Sequence, residues 1–342
     1  MKKKNVLTSV LLSNKAALIL LLLCIALSIA SPVFLTATNL VNVIRQVTTS
    51  AILSLGFTLV LGAGYMDLSV GSLVGMIGVI MAKAMNAGVP TILAILIGIL
   101  FGMAVGVFNA FVITTFKMPP FIVTLASQQI LRGSIYLITG MIPVLDLPES
   151  FTFLGQGRIA NVPVPIYIMA FVFVTVWLVI NRFEFGRHVL AVGGNAEAAY
   201  VSGIKTKKIV FLVYMCMGVC AAIASVVMTG RAASAQPSAG LNMEMDAIAA
   251  VVVGGTAMSG GVVNVVGALF GSLIVGVINN AMNLLRLDSN WQLVVKGTLI
   301  MLALMLDNVS AMVMAKAQKD NAMKKIKENN ESNESKQADK ES

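Results

Sequence analysis

Long apolar stretches without charge, separated by short polar ones, run from residue 16 almost to residue 315. The longest lies between Asp246 and Arg286 and holds 39 residues with no formal charge, punctuated by glycine. A membrane helix needs about 20 apolar residues, so this stretch has room for two crossings and a turn. Lipid offers backbone groups no partners, so only helices and closed barrels cross it. These stretches are far longer than barrel strands and lack their alternation. The pattern predicts an all-α polytopic membrane protein.

About ten hydrophobic helical elements are expected, some of them short or broken. Crossings are predicted at 16–35, 49–65, 91–113, 121–140, 163–181, 209–229 and 291–313. Only 15 uncharged residues separate Asp67 from Lys83, so a short, tilted or broken helix is expected from Asp67 to about 86. Two more short elements, 247–257 and 262–283, flank a glycine-rich turn at 254–261. Lys117-Met118-Pro119-Pro120 marks a boundary, because proline lacks a donor and restricts the residue before it. Two polar connections stand out, 143–162 and 182–208. A faint echo links Leu100-Phe101-Gly102 and Gly106 to Ala110 with Leu269-Phe270-Gly271 and Gly276 to Asn280, as expected of two weakly related halves.

Charge adds orientation. Only 11% of the 342 residues are charged and 58% are hydrophobic, whereas soluble domains carry about 25% charge. The net charge of +9 is gathered at Lys2, Lys3 and Lys4, in 182–208 and from Lys316 onward. Under the positive-inside rule both termini and the 182–208 loop are cytoplasmic. The chain then divides into a basic N-terminus (1–15), a membrane domain (16–315) and a disordered cytoplasmic tail (316–342) that is nearly free of apolar residues. The N-terminus imitates a signal peptide, but the many later spans favour its retention as an anchor. No basic surface is interleaved with aromatics, which argues against nucleic acid. Cys24, Cys216, Cys220 and the single His188 make no metal-ligand pattern, and no nucleophile–base pair suggests catalysis.

Candidate functional residues lie in three places, with further polar residues inside the spans. Asp67, with Ser69, Gly71 and Ser72 close behind, either opens and caps a helix or places a carboxylate beside a permeation path. Ser69, Ser72, Asn109, Gln128 and Asn279 are polar residues inside spans that could exchange hydrogen bonds with a polar cargo. Gly254, Gly255 and Thr256 begin a glycine-rich turn that has no Gly-Lys-Ser/Thr ending, so it predicts a broken helix rather than an ATP cradle. The third place is Gly193-Gly194-Asn195-Ala196-Glu197-Ala198-Ala199-Tyr200-Val201-Ser202-Gly203-Ile204, where Asn195 can cap a short helix and Gly203 can end it. Such a helix either rests on the membrane or is presented to a soluble partner.

Several of these blocks together resemble the permease subunits of bacterial ABC sugar importers, the ribose/galactose/xylose-type branched family. The resemblance runs from the second span to Asp307. It rests on Asp67-Leu68-Ser69-Val70-Gly71, Pro120 to Leu125, the Gly-Gly-Asn…Glu-Ala-Ala…Ser-Gly-Ile loop, Asp246 to Ala250 and Gly254-Gly255-Thr256. It implies a pore formed with a second permease copy, two cytoplasmic ATPase subunits and an extracytoplasmic sugar-binding protein, in the bacterial inner membrane. ATP and Mg would bind to the ATPase, with no cofactor held by this chain. Gly194, Asn195, Glu197, Ala198, Ala199, Ser202 and Gly203 would then form the coupling helix. Ser234 to Gly240 is most similar to the ribose-type members, which implies a small neutral pentose.

Other readings stay open at this point. The same branch includes importers of nucleosides and autoinducer sugars. An ion-coupled secondary transporter would need paired intramembrane charges, but Lys296 and Asp307 would lie about 16 Å apart along a helix. A non-transport membrane scaffold would need no path at all.

Overall fold

The computed structural model describes residues 15–288, together with residues 290, 291, 294, 295, 297, 298, 301 and 305. The basic start, the tail and most of the expected crossing at 291–313 lie outside the described residues. In chain order the helices are α1 (Lys15–Ala30), α2 (Ala37–Gly62), α3 (Val70–Asn86), α4 (Thr91–Thr115), α5 (Pro120–Thr139) and α6 (Glu149–Gln156). After the two-residue strands β1 (Arg158–Ile159) and β2 (Val162–Pro163) come α7 (Val164–Asn181), α8 (Glu184–Gly194) and α9 (Ala196–Val201). The described order ends with α10 (Thr206–Ala232), α11 (Met243–Val253) and α12 (Val265–Leu284). Six of these, α2, α4, α5, α7, α10 and α12, are long and apolar enough to cross a membrane.

The chain departs from the sequence expectation at several borders. Helix α2 begins at Ala37 rather than near 49, because Thr36 caps it and its polar first half finds partners. There Asn39 is buried against α12, and Arg45 reaches the Gln156 carbonyl at 3.4 Å. Helix α3 begins at Val70, three residues after Asp67, with Ser69 in the cap position. Connection 143–162 contains α6 and a small antiparallel hairpin, and 182–208 contains α8 as well as the expected short helix. Helix α11 stops at Val253, and α12 starts only at Val265.

Burial follows from what lipid can solvate. Helix α4, the most apolar of the six, has only 22% of its most apolar 18 residues buried, whereas α2 has 78%. Lipid tails are as apolar as leucine, so leucine and phenylalanine face outward without loss while small and polar residues pack between helices. Along α4 the buried face is Ala94, Gly98, Gly102, Gly106 and Asn109, about one residue per turn. A Cβ on Gly102 would strike the Gly218 carbonyl of α10, and one on Gly218 would strike that of Gly102. The helices therefore approach backbone to backbone. Helices α11 and α12 pack likewise, Gly254 on Gly267 and Ala250 on Gly271.

Helix α2 connects two ends of the molecule. At one end its last residues meet α8, in the 182–208 connection. At the far end Arg231 Nη1 donates to the Arg45 carbonyl at 2.9 Å and Gln156 Nε2 to the Arg231 carbonyl at 3.0 Å. An isolated bridge joins Val144 to Ala235 there. From that bridge the 233–242 segment descends into the helix core until Gly240 lies against Gly71, in the first turn of α3.

Candidate functional site

Five of the polar residues singled out from sequence, Asp67, Ser69, Ser72, Asn109 and Thr256, lie deep in the core, and three of them share one network. Ser69 donates to Asp67 Oδ1 through its backbone N–H at 3.0 Å and through Oγ at 2.5 Å. Asn109 Nδ2 of α4 donates to Ser69 Oγ at 3.1 Å, and Ser127 Oγ of α5 donates to Asn109 Oδ1 at 2.5 Å. Asp67, Ser69 and Asn109 are at most 1% exposed, and Ser127 6%. Asp67 thus stabilises the turn before α3 and does not occupy the cap position itself. Tyr214 of α10 adds a bond from its hydroxyl to the Met66 carbonyl at 2.7 Å. Ser72, buried at 1%, sits in the first turn of α3.

Gln128 has a partner that sequence reasoning missed. Its Nε2 donates to Glu244 Oε1 at 2.9 Å, joining α5 to α11. Glu244 is 2% exposed. The signal that could have found it was the Glu244–Asp246 pair at the head of an otherwise uncharged stretch. Asn279 is half-buried, and its Oδ1 has no hydrogen-bond partner among the described residues. Its neighbour Asn280 makes the contact between helices, with Asn39.

The glycine-rich turn interrupts two helices and touches the polar connection. Thr256, 1% exposed, accepts from the Asn264 N–H at 3.1 Å, and Asn264 Oδ1 caps α12 by accepting from Gly267 N at 2.8 Å. Gly261 N donates to the Gly62 carbonyl at 3.0 Å. Gly193, near the end of α8, lies between those two residues with no room for a side chain. Gly260, at φ +88°, packs on Gly64 and Gly193 in a conformation that residues with a Cβ rarely adopt. The ends of α2 and α8 and the 254–264 turn therefore meet through bare backbone.

Helix α9 follows directly. Asn195 Oδ1 accepts from Ala198 N at 2.9 Å, and Gly203, at φ +87°, lies just past the helix end, as the spacing predicts. Gly194, Asn195, Glu197, Ala198, Ser202 and Gly203 are exposed, whereas Ala199 is buried at 5% and anchors the helix. Tyr200 and Val201, 70% and 81% exposed, extend the free surface with apolar area. A cleft of about 410 Å³ adjoins it, lined by Tyr65, Lys117, Pro119, Ala196 and Lys207 among others. Among the described residues, no three His, Cys, Asp or Glu side chains gather as a metal site.

Comparison with known proteins identifies the family. A family model described as the branched-chain amino acid transport system / permease component matches residues 39–304. The chain is 41% identical to the ribose import permease protein of Bacillus subtilis (strain 168), over 84% of this chain and 90% of that one. It is 38% identical to the ribose import permease protein of Escherichia coli (strain K12), over 87% of this chain and 94% of the relative. It is 36% identical to the D-allose transport system permease protein of that strain, over 82% and 87%. No solved structure matches the chain. Long apolar helices, interrupted elements and full-length relatives converge: the chain belongs to the branched-chain amino acid transport system / permease component family, as the multi-pass membrane component of an ABC transporter, in which ATP hydrolysis resides in a separate subunit.

Proposed function

We propose that this chain is the permease of an ATP-driven importer for a small neutral sugar, a pentose such as ribose. The observation that carries the reading is the contact of Gly193 with both Gly62 and Gly261. Displacement of the 182–208 connection would thereby be passed to the end of α2 and to the 254–264 turn. A cytoplasmic ATPase pushing on Gly194–Gly203 would shift the populations of path conformations, since hydrolysis acts through its differential effect on those states. The exposed Glu197, Tyr200 and Val201 support docking at α9, and Ala199 supports its rigid attachment to the body.

The remaining parts of the reading follow from charge and chemistry. Both termini and the 182–208 connection face the cytoplasm, where their lysines and arginines belong. A second permease copy completes the path, an extracytoplasmic sugar-binding protein delivers the cargo, and ATP and Mg bind to the partner ATPases. The path is sought near Asp67, Ser69, Ser72, Asn109, Gln128, Gly254, Gly255, Thr256 and Asn279. The names of the ribose relatives and the Ser234–Gly240 block support a pentose.

Uptake of labelled ribose, xylose, galactose and a nucleoside by the reconstituted complete complex tests the cargo. ATP-dependent ribose uptake is the expected result. Nucleoside uptake with no sugar uptake would reject the cargo while keeping the importer architecture, and uptake driven by an ion gradient without ATP would reject both.

A further inference from the structure

Glu244 lies in the first turn of α11, and the cluster around it is not explained by packing. One oxygen of its buried carboxylate accepts from Gln128, whereas Oε2 has no hydrogen-bond partner among the described residues. That free oxygen lies against Gly71, where any side chain would overlap it. Arg132, one turn along α5 from Gln128, is 8% exposed. Its Nη1 donates to the carbonyls of Pro237 and Ala239, both at 2.9 Å, and its Nε has no hydrogen-bond partner among the described residues. Charged side chains inside membrane segments are costly, and a buried oxygen with unused lone pairs calls for an explanation. An apolar residue of similar size would join α5 to α11 without that cost.

The chemistry fits a diol. Each sugar hydroxyl donates one hydrogen bond and accepts others, so adjacent hydroxyls suit an acceptor set beside a donor. Glu244 Oε2 is such an acceptor, and the Gln128 amide two atoms away in the bond network supplies donors and an acceptor. Arg132 offsets part of the negative charge of Glu244 and the nearby Asp246, so the cluster presents acceptors suited to hydroxyl donors. We propose that Glu244 and Gln128 form a subsite for adjacent hydroxyls of the transported sugar, closed in this conformation by the 237–240 turn that Arg132 holds. When α5 and α11 part, the Gln128–Glu244 bond is exchanged for bonds to the cargo. Arg132 is a positioning residue that acts through the turn. This rests on the importer reading above.

The test uses the complete reconstituted complex with an unaltered binding protein. KM is measured for ribose and for analogues each lacking one hydroxyl, with wild-type permease and with Glu244→Ala, Glu244→Gln and Gln128→Ala. Because the binding protein is shared, its selectivity cancels in the comparison between permeases. The expected result is that one analogue's disadvantage relative to ribose shrinks by about tenfold in Glu244→Ala and Gln128→Ala, and by less in Glu244→Gln, the size of one lost charged hydrogen bond. If Glu244→Ala does not assemble, Glu244→Gln and Gln128→Ala carry the comparison. An equal effect of the substitutions on ribose and every analogue overturns the subsite and leaves only a structural pin. Absence of sugar uptake by the wild-type complex overturns the cargo reading, and the subsite with it.

Discussion

Asn39 and Asn280, 241 positions apart, exchange side-chain amide hydrogen bonds: Asn39 Nδ2 donates to Asn280 Oδ1 at 3.1 Å and Asn280 Nδ2 to Asn39 Oδ1 at 2.9 Å. The pair closes the first turn of α2 on the last turns of α12, and Asn39 Nδ2 also donates to the Phe34 carbonyl at 2.9 Å. Each amide satisfies the other where lipid would leave it stranded. Asn280→Ala should therefore lower stability by about 1 kcal/mol, the usual scale for a hydrogen bond between membrane helices. Unfolding in mixed micelles, run as a double-mutant cycle with Asn39→Ala, measures the coupling, and a coupling of zero would dismiss the pair as incidental.

Gly193 and Gly194 are adjacent but not equivalent. A Cβ on Gly193 would meet the Gly62 carbonyl and the Gly261 backbone, whereas one on Gly194 meets nothing within 4 Å. Gly193→Ala should destabilise by about 1–3 kcal/mol, as overpacking does, and uncouple ATP hydrolysis from uptake. Gly194→Ala should stay within about 0.5 kcal/mol of wild type. Thermal unfolding in detergent separates the two.

Asp67 offers a test of structural against charge-dependent roles. Both bonds from Ser69 end on its Oδ1, an atom that asparagine also possesses. Asp67→Asn should thus keep near-wild-type stability, while Asp67→Ala should lose about 2 kcal/mol by leaving buried donors unpaired. Equal stability losses in the two variants would show that the charge, rather than the acceptor, holds the turn.

Helix α9 should couple through its exposed face. Glu197→Lys combined with Tyr200→Ala should abolish sugar-stimulated ATP hydrolysis while the permease remains inserted, since both side chains are exposed and neither supports the fold. Full coupling in this variant, measured by ATPase rate in proteoliposomes, would exclude α9 as the docking helix.

Orientation can be read chemically. On a background lacking Cys24, Cys216 and Cys220, cysteines placed at the exposed positions Glu149 and Lys205 should react differently with an impermeant reagent. Only position 149 should label from outside intact cells. Labelling at 205 would invert the topology and remove the coupling reading of 182–208.

The class of this protein is legible in its apolar pattern, because lipid imposes strong local demands. Runs of apolar residues without charge leave helices as the only economical crossing, so most elements were legible to within a few residues. The cap at Asn195 and the stop at Gly203 were legible too, since capping acts over three or four neighbours. Which polar residues meet is set by helix packing instead. Nothing local distinguishes Asn280 from Asn279, yet one faces α2 and the other does not. Glu244 finds Gln128 across 116 positions, and Gly193 finds Gly62 and Gly261 through backbone contact. Such pairings depend on helix rotation and depth, which close packing of small residues sets. Periodicity within one helix carries no record of the face its partner will present.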